Sequence, residues 1–244
     1  MRLRYFIIAV LGGWVFASAS QAQTIVIDAG HGGEDDGYYS WTGHPEDELV
    51  LRIATYLESQ LSDMAGLDVQ MTRSGEGGPS DETRLAIANA AGADLLLSIH
   101  ADVATERAAA RGLIVYTVSD LSRRRVLART QELGFAPDAA TASLALDERL
   151  EREAIFIDVL QAQMPGNVPL VVDNGRGGLF DILMDANTPS LFLEFPYLSN
   201  SPATVSPALT DDQIAVIDAV AEAIRAHYSV DGMGGGTGSG SNGL

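Results

Sequence analysis

The sequence contains no cysteine, so neither a disulfide framework nor a thiolate-ligated metal site is available to it. Basic residues are scarce: 15 Lys and Arg stand against 33 Asp and Glu, for a formal net charge of −18. This charge repels phosphate backbones and anionic lipid surfaces, so nucleic-acid binding is close to excluded. Aromatic residues make up only 7% of the chain, while 46% of its residues are hydrophobic, an ordinary globular balance. Any bound metal must use nitrogen and oxygen ligands.

The apolar stretch at the beginning of the chain is too short to span a bilayer. Residues 5–16 are mostly apolar, follow Arg2 and Arg4, and precede a small-residue stretch that ends at Ala22. A membrane-spanning helix needs about 20 apolar residues. The pattern indicates a signal peptide over residues 1–22 and predicts a periplasmic or secreted protein with no stable membrane insertion after cleavage. An uncleaved amino-terminal anchor is the alternative.

The remaining pattern predicts one catalytic domain over residues 23–229. Short apolar runs, typical of buried strands, lie at residues 24–28, 67–73, 93–102, 112–118, 169–173, 180–184 and 190–195. Helical periodicity covers residues 46–61, 81–92 after Ser80, and 211–228 after Thr210. It also covers two charged segments within 119–166, which the small-residue stretch 136–143 separates. The alternating order predicts a three-layer α/β fold, with a mostly parallel central sheet and helices on both faces. Residues 230–244 are rich in Gly and Ser and predict a flexible tail.

Four residues are expected to meet at the carboxyl edge of this sheet, where open α/β sheets bind ligands. His31 follows the first strand, and His100 and Glu194 each end a strand. Glu46 opens the first helix one turn before Val50 and therefore extends the buried stripe of that helix. Each residue alone also has a structural interpretation, as a hydrogen-bonded histidine, a helix-start acid or an ion-pair partner. A ligand-binding site is favoured because all four residues are expected at the same edge of the sheet.

Two imidazoles and one carboxylate are a ligand set of catalytic zinc, with the fourth position left to a water molecule. His31, Glu46 and His100 are therefore the predicted ligands of one Zn²⁺ ion, and Glu194 is the predicted general base. Because Asp47 and Glu48 follow Glu46, the register of the ligand could shift. Glu46 is preferred to Asp47, since only Glu46 shares a face with Val50.

The ordered motifs of the chain resemble the zinc-dependent N-acetylmuramoyl-L-alanine amidases, which cut peptide stems from bacterial peptidoglycan. The similarity runs from Ile25 to about Tyr228 and places the two histidine ligands on His31 and His100, the ligand glutamate on Glu46 and the catalytic glutamate on Glu194. It rests on IVIDAGHGG, EDELVLRIA, MTR, R-x-x-x-AN, SIHAD and SLFLEFPYLSN. Asp47 departs from the usual lysine and Asp102 from the usual asparagine, which adds negative charge near the predicted site.

The resemblance implies peptidoglycan as substrate. It also implies a possible protein activator, because related amidases can carry a regulatory helix that occludes the zinc until a partner binds. Residues 119–166, a helical elaboration, are the expected place for such a helix, and an ordinary surface helix pair is the alternative. Asp28 and Asn89 are expected either to orient the ligands or to play structural roles. Arg73 and Arg84 are expected either to bind a substrate carboxylate or to tie loops together.

Two other functions fit the same residues. A zinc amidohydrolase or carboxypeptidase that acts on small acyl-amino acids or free peptides would use the same chemistry in a different pocket. A wall-binding module without catalytic activity is the third hypothesis, and the complete ligand set together with Glu194 argues against it.

Overall fold

The computed structural model describes residues 22–40, 43–101, 112–118, 122–173, 180–195 and 208–231. The strands in this part of the chain are β1 (Gln23–Ala29), β2 (Leu67–Met71), β3 (Leu95–His100), β4 (Leu113–Tyr116), β5 (Leu170–Asp173) and β6 (Ser190–Glu194). The helices are α1 (Glu46–Leu61), α2 (Asp81–Ala91), α3 (Arg123–Glu132), α4 (Ala139–Gln163), α5 (Asp181–Met184) and α6 (Asp211–Asp231).

The strands form one six-stranded sheet in the order β2-β1-β3-β6-β4-β5. All neighbours are parallel except β4 and β6, which pair antiparallel. The carboxyl ends of β1, β3 and β6 therefore lie side by side at one edge of the sheet. The predicted mostly parallel sheet is confirmed. Its adjacent strands β1, β3 and β6 are those that lead to His31, His100 and Glu194.

Strand alternation divides the hydrophobic core into two layers. Ile25 and Ile27 of β1 face a core built with α1, α4 and α6, whereas Val26 faces the opposite core, to which α2, α3 and α5 contribute. Successive strand residues point to opposite faces, so a buried parallel strand needs apolar residues on both. The structure thus has the three layers expected from the sequence.

Two helix starts follow the capping chemistry of the sequence. Ser80 accepts a hydrogen bond from the Thr83 backbone amide at the start of α2. Thr210 and Gln213 exchange hydrogen bonds at the start of α6, with Gln213 N donating to Thr210 Oγ1 at 3.2 Å and Thr210 N donating to Gln213 Oε1 at 2.9 Å. Each pair satisfies amide groups that have no partner inside the helix.

The expected strand at residues 180–184 is wrong. Residues Asp181–Met184 form the single helical turn α5, with Ile182, Leu183 and Met184 buried. Arg149 of α4 explains the difference, because its guanidinium donates to the carbonyl oxygens of Leu183 at 2.7 Å and Ala186 at 2.8 Å. A buried cation that satisfies the carbonyls at a helix end stabilises the turn, and no local pattern in the run predicts this partner.

Several element boundaries also differ from expectation, two of them in helices α4 and α6. The stretch at residues 136–143, expected to separate two helices, contains the start of α4 at Ala139, where Asp138 accepts a hydrogen bond from Thr141 N. Helix α6 ends at Asp231 rather than Tyr228. The rest of the predicted signal peptide before Ala22, Asp102 and the tail from residue 232 lie outside the described residues. Within the described part, no helix has the length and apolar character of a membrane span.

Candidate metal centre

Alternation along β3 and β6 brings His100 and Glu194 to the same face of the sheet. Ser98 and His100 of β3 pair in register with Phe192 and Glu194 of β6. Because the strands are parallel, both side chains end at the carboxyl edge, and Phe195 N donates to His100 O at 2.9 Å just beyond it. Two residues far apart in sequence thereby become neighbours.

His31 reaches the same edge through a strained turn after β1. Its φ is 58°, in the left-handed region that non-glycine residues rarely adopt, and it is the only such residue in the described chain. Two glycines clear the space around it. A Cβ on Gly30 would lie 2.3 Å from His100 Cε1, and one on Gly37 would lie 2.7 Å from Glu46 Oε2. The glycine-rich loop therefore allows the backbone to approach the candidate ligands closely.

Glu46 lies in the first turn of α1, which packs on the face of the sheet opposite to His100. Its side chain extends across the carboxyl edge of the sheet toward the two histidines. Its Oε1 lies 3.1 Å from His31 Nε2 and 3.2 Å from His100 Nδ1, and it accepts a hydrogen bond from Ala101 N at 3.0 Å. Its Oε2 accepts a hydrogen bond from Tyr38 N at 3.0 Å. The residue is 1% exposed, so its carboxylate is held in one position by backbone amides.

These three side chains have the spacing that a tetrahedral metal requires. Two ligand atoms about 2.0–2.1 Å from such a metal are about 3.3 Å apart. His31 Nε2 lies 3.2 Å from His100 Nδ1, and the other two pairs are separated by 3.1 and 3.2 Å. The donor set has no cysteine and suits a divalent ion that accepts imidazole and carboxylate. His31, Glu46 and His100 are the group of possible metal ligands found among the described residues.

The electrostatics of the cluster favour a bound cation. Burial lowers the pKa of His31, but hydrogen bonds and the negative charges of Glu46 and Asp35 outweigh it and raise the pKa to about 9. Burial raises the pKa of Glu46, but hydrogen bonds and charge from His100 and His31 outweigh it and hold the pKa well below its usual range. The buried carboxylate thus depends on positive charge on its partners, which a metal ion would supply.

Asp35 is a functional candidate that sequence reasoning missed. Its Oδ2 lies 2.8 Å from His31 Nδ1, and its Oδ1 accepts a hydrogen bond from Gly37 N at 3.1 Å. A carboxylate on one ring nitrogen leaves the other for a metal, and histidine ligands usually have such a partner. A carboxylate four residues after the histidine in the same loop was the available signal, but only the turn at His31 shows that it points back.

The candidate site opens into a cavity of about 740 Å³. Glu194, which is 9% exposed, lines this cavity together with the three candidate ligands. Part of the cavity wall is aromatic: Phe192 stacks on the His100 ring at 4.2 Å between centroids, and Phe180 stacks on Phe192 at 4.0 Å. His100 is therefore held between the Gly30 backbone and an aromatic stack, beside the carboxylate proposed as base.

The two arginines and Asp28 tie the loops of the edge together. Asp28 accepts hydrogen bonds from Ser98 Oγ at 2.7 Å, Thr72 Oγ1 at 2.5 Å and Arg84 Nη1 at 2.6 Å. Arg84 also donates to the carbonyl oxygen of His31 at 2.6 Å. Asp28 therefore helps to position the His31 backbone through Arg84, rather than orienting an imidazole ring directly.

Arg73 donates to backbone carbonyls of three segments, those of Gly30 at 2.7 Å, Asp47 at 2.9 Å and Gly75 at 2.9 Å. Both arginines are buried. Their contacts match the alternative in which they tie loops together. Asn89 is half-buried on α2 and is not among the residues that line the cavity. None of the lining residues comes from the described part of 119–166.

The fold and the site together define a class: an α/β domain with a His-Glu-His candidate metal centre and a neighbouring glutamate at the carboxyl edge of its sheet. Comparison with known proteins makes this specific. The N-acetylmuramoyl-L-alanine amidase family profile matches residues 25–226, and the chain belongs to this family.

Among curated relatives, the N-acetylmuramoyl-L-alanine amidase AmiA of Escherichia coli K12 is 29% identical over 194 residues, covering 73% of this chain and 66% of AmiA. The catalytic domain of CwlV, an N-acetylmuramoyl-L-alanine amidase from Bacillus (Paenibacillus) polymyxa, superposes with a TM-score of 0.60 at 22% identity, covering 85% of this chain and 99% of that domain. The CwlD amidase of Clostridioides difficile, solved with the GerS lipoprotein, gives a TM-score of 0.56 at 21% identity, covering 86% of this chain and all of that one (100%). These structures share the fold.

Proposed function

We propose that this protein is a zinc-dependent amidase that hydrolyses the bond between the lactyl group of N-acetylmuramic acid and L-alanine in peptidoglycan. One observation carries the proposal: His31, Glu46 and His100 converge at 3.1–3.2 Å in the cavity that Glu194 also lines. Membership of the amidase family supports the choice of substrate.

Each residue of the site has a distinct proposed role. His31, Glu46 and His100 hold the zinc, which when bound would polarise the amide carbonyl and lower the pKa of a water molecule toward about 7. Asp35 fixes the His31 ring through Nδ1 so that Nε2 points into the site. Arg84 and Asp28 hold the strained His31 backbone in place.

Glu194 is proposed to move the proton that amide hydrolysis requires. It accepts a proton from the attacking water and then donates it to the leaving amine of L-alanine, so that the amine departs in neutral form. Its pairing with His100 in the adjacent strand, on the same face of the sheet, supports this role. The amide is a poor electrophile, so both carbonyl polarisation and proton transfer are needed.

The proposed site of action is the periplasm or the outside of the cell, as the predicted signal peptide implies. A protein activator is part of this proposal, and it is supported by the amidase neighbour that was solved with a lipoprotein. A regulatory role for residues 119–166 stays a prediction. Deleting residues 121–142 should raise basal hydrolysis if this segment restrains the enzyme.

Purified protein, its His31→Ala variant and its Glu194→Gln variant test the proposal together. We expect about one zinc per chain in the parent, lost in His31→Ala. We expect the parent to release stem peptides from intact sacculi, and Glu194→Gln to keep its zinc but to lower kcat by about 10²–10⁴-fold. Glu222→Gln, at an exposed glutamate of α6, is the matched control. Hydrolysis of free peptides alone would favour the amidohydrolase alternative, and unimpaired Glu194→Gln would exclude the proposed base.

A further inference from the structure

Two consecutive tyrosines are exposed in the loop that follows His31, close to the candidate metal centre. Tyr38 is 62% exposed and Tyr39 is 54% exposed, and Tyr38 lines the cavity that contains the metal ligands. Large exposed aromatic side chains beside a polar cavity mark a place where a ligand covers them. The mechanism proposed above uses neither ring.

The backbone that carries these rings is fixed to the start of α1. Tyr38 N donates to Glu46 Oε2 at 3.0 Å, and Glu46 N donates to Tyr38 O at 2.7 Å. Tyr39 forms a β-bridge with Pro45, and its hydroxyl donates to Asp36. A side chain with two rotatable torsions on a fixed backbone loses little entropy when a ligand binds. We call Tyr38 and Tyr39 the tyrosine platform.

The charge around the tyrosine platform selects against an anionic ligand. Asp35 and Asp36 are exposed in the same loop, and Asp47 is half-buried at the start of α1. Carboxylates repel the carboxylates of a stem peptide, but they accept hydrogen bonds from hydroxyl and amide N–H groups. Aromatic faces bury the apolar C–H face of a ring, and this contact does not depend on ligand charge. The suitable occupant is a neutral, hydroxyl-rich ring.

We propose that the tyrosine platform binds pyranose rings of the glycan strand and so places the sugar side of the scissile amide close to the candidate metal centre. The inference rests on the proposed amidase function, because that reaction joins a sugar to a peptide at the metal. Tyr38 lines the cavity and Tyr39 is exposed next to it in the chain, so a glycan strand can contact more exposed aromatic surface than a single sugar with its peptide.

Binding of a neutral sugar chain tests the tyrosine platform without any hydrolysis. The probe is the β-1,4-linked tetramer of N-acetylglucosamine, titrated into the parent protein by calorimetry or by tyrosine fluorescence. Replacing both rings in Tyr38→Ala/Tyr39→Ala should weaken binding about tenfold, whereas Tyr38→Phe/Tyr39→Phe, which keeps the rings, should stay within about threefold. Leu144→Ala, at a side chain that is 65% exposed on α4, is the control for loss of exposed apolar area.

The result that overturns the inference is equal tetramer affinity in the parent and the double alanine variant, or an equal loss in Leu144→Ala. An equal loss in the double phenylalanine variant would also overturn it, because stacking would then not be the source of affinity. If the double alanine variant fails to melt cooperatively, Tyr38→Ala alone provides the test, since the Tyr38 hydroxyl makes no hydrogen bond within the described chain. A parent that binds the tetramer but releases no stem peptide from sacculi would refute the amidase function and leave the sugar platform standing.

Discussion

The position of the His100 imidazole depends on the absence of a side chain at residue 30. A Cβ on Gly30 would lie 2.3, 2.4 and 2.8 Å from three atoms of that ring, closer than real contacts allow. The ring cannot retreat, because Phe192 stacks on it at 4.2 Å. We expect Gly30→Ala to lower zinc affinity by at least about 10-fold, the range seen for loss of groups that orient a ligand.

Metal analysis after dialysis against a zinc buffer measures this effect, and thermal unfolding checks that the fold remains. Gly75→Ala is the matched control, because no atom lies within 4 Å of the Cβ it would introduce. Full zinc retention in Gly30→Ala would show that the imidazole can move without losing its role as a ligand.

We expect His31 to make the proposed zinc binding and the stability of the metal-free protein respond to pH in opposite directions. Its pKa rises from 6.5 to about 9 in the metal-free protein, because Glu46 and Asp35 outweigh the effect of burial. A raised pKa stabilises the folded state fully below pH 6.5, and this contribution is lost as the pH rises through about 9. Zinc needs the neutral imidazole, so binding near pH 7.5 must release the His31 proton.

We therefore expect zinc affinity to rise about tenfold per pH unit between pH 7 and 9, while this histidine's contribution to metal-free stability declines. Calorimetric titration with zinc in buffers of different ionisation heat counts the released protons. Asp35→Asn, which removes one of the negative charges on His31, should release fewer protons near pH 7.5. A flat zinc affinity across this range would contradict the raised pKa.

At the scale of helices and strands, the convergence of the candidate residues could be predicted where local pattern and topology agree. His31, His100 and Glu194 follow or end buried parallel strands, and such ends meet at one edge. The apolar stripe of α1 predicts that Glu46 faces inward, and the bounds of this helix are those expected. Asp35 was missed because the turn at His31, with its φ of 58°, leaves no periodic signal.

The apolar run at residues 180–184 shows why some elements of the fold could not be predicted from the sequence. A short apolar run fits a strand or a buried helical turn equally well. Its conformation depends on Arg149, a residue 34 positions from Leu183 in the chain. Long-range contacts of this kind override local propensity and are invisible without the fold.

The Arg149–Glu153 pair of α4 also fixes the elements that lead into the site. The two side chains are 4% and 1% exposed, and Arg149 Nε donates to Glu153 Oε1 at 2.8 Å. The same oxygen accepts a hydrogen bond from Ser190 N, at the start of the strand that ends with Glu194. Glu153 Oε2 has no hydrogen-bond partner in the described structure, so Arg149 supplies most of the compensation for its buried charge.

Arg149→Met should therefore destabilise the protein by about 3–5 kcal/mol, because it leaves a buried carboxylate without a cation. Arg149→Met/Glu153→Leu should recover part of this loss. Arg123→Met, which breaks the partly exposed pair with Asp147, should cost less than about 1 kcal/mol. Urea unfolding measures all three, and a double variant as unstable as Arg149→Met, or more so, would refute the role of uncompensated charge.

At the scale of the whole molecule, the charge of −18 works against the proposed substrate. Stem peptides carry carboxylates, and most of the described arginines already form ion pairs within the protein: Arg123 lies 2.7 Å from Asp147 and Arg129 lies 2.6 Å from Asp185, for example. Long-range repulsion is therefore expected to slow the encounter of the protein with the proposed substrate. Salt shortens the Debye length from about 30 Å at 0.01 M to about 8 Å at 0.15 M, which screens this repulsion.

We expect kcat/KM on soluble muropeptides to rise several-fold between these two salt concentrations, in contrast to enzymes that attract their substrates and slow down in salt. The same muropeptide with its carboxylates amidated is the control and should show little dependence on salt. The effect should lie in KM and leave kcat nearly constant, because screening acts on encounter and not on the bound complex. A rate that falls with salt would reveal a cationic surface that dominates the approach of the substrate despite the net charge.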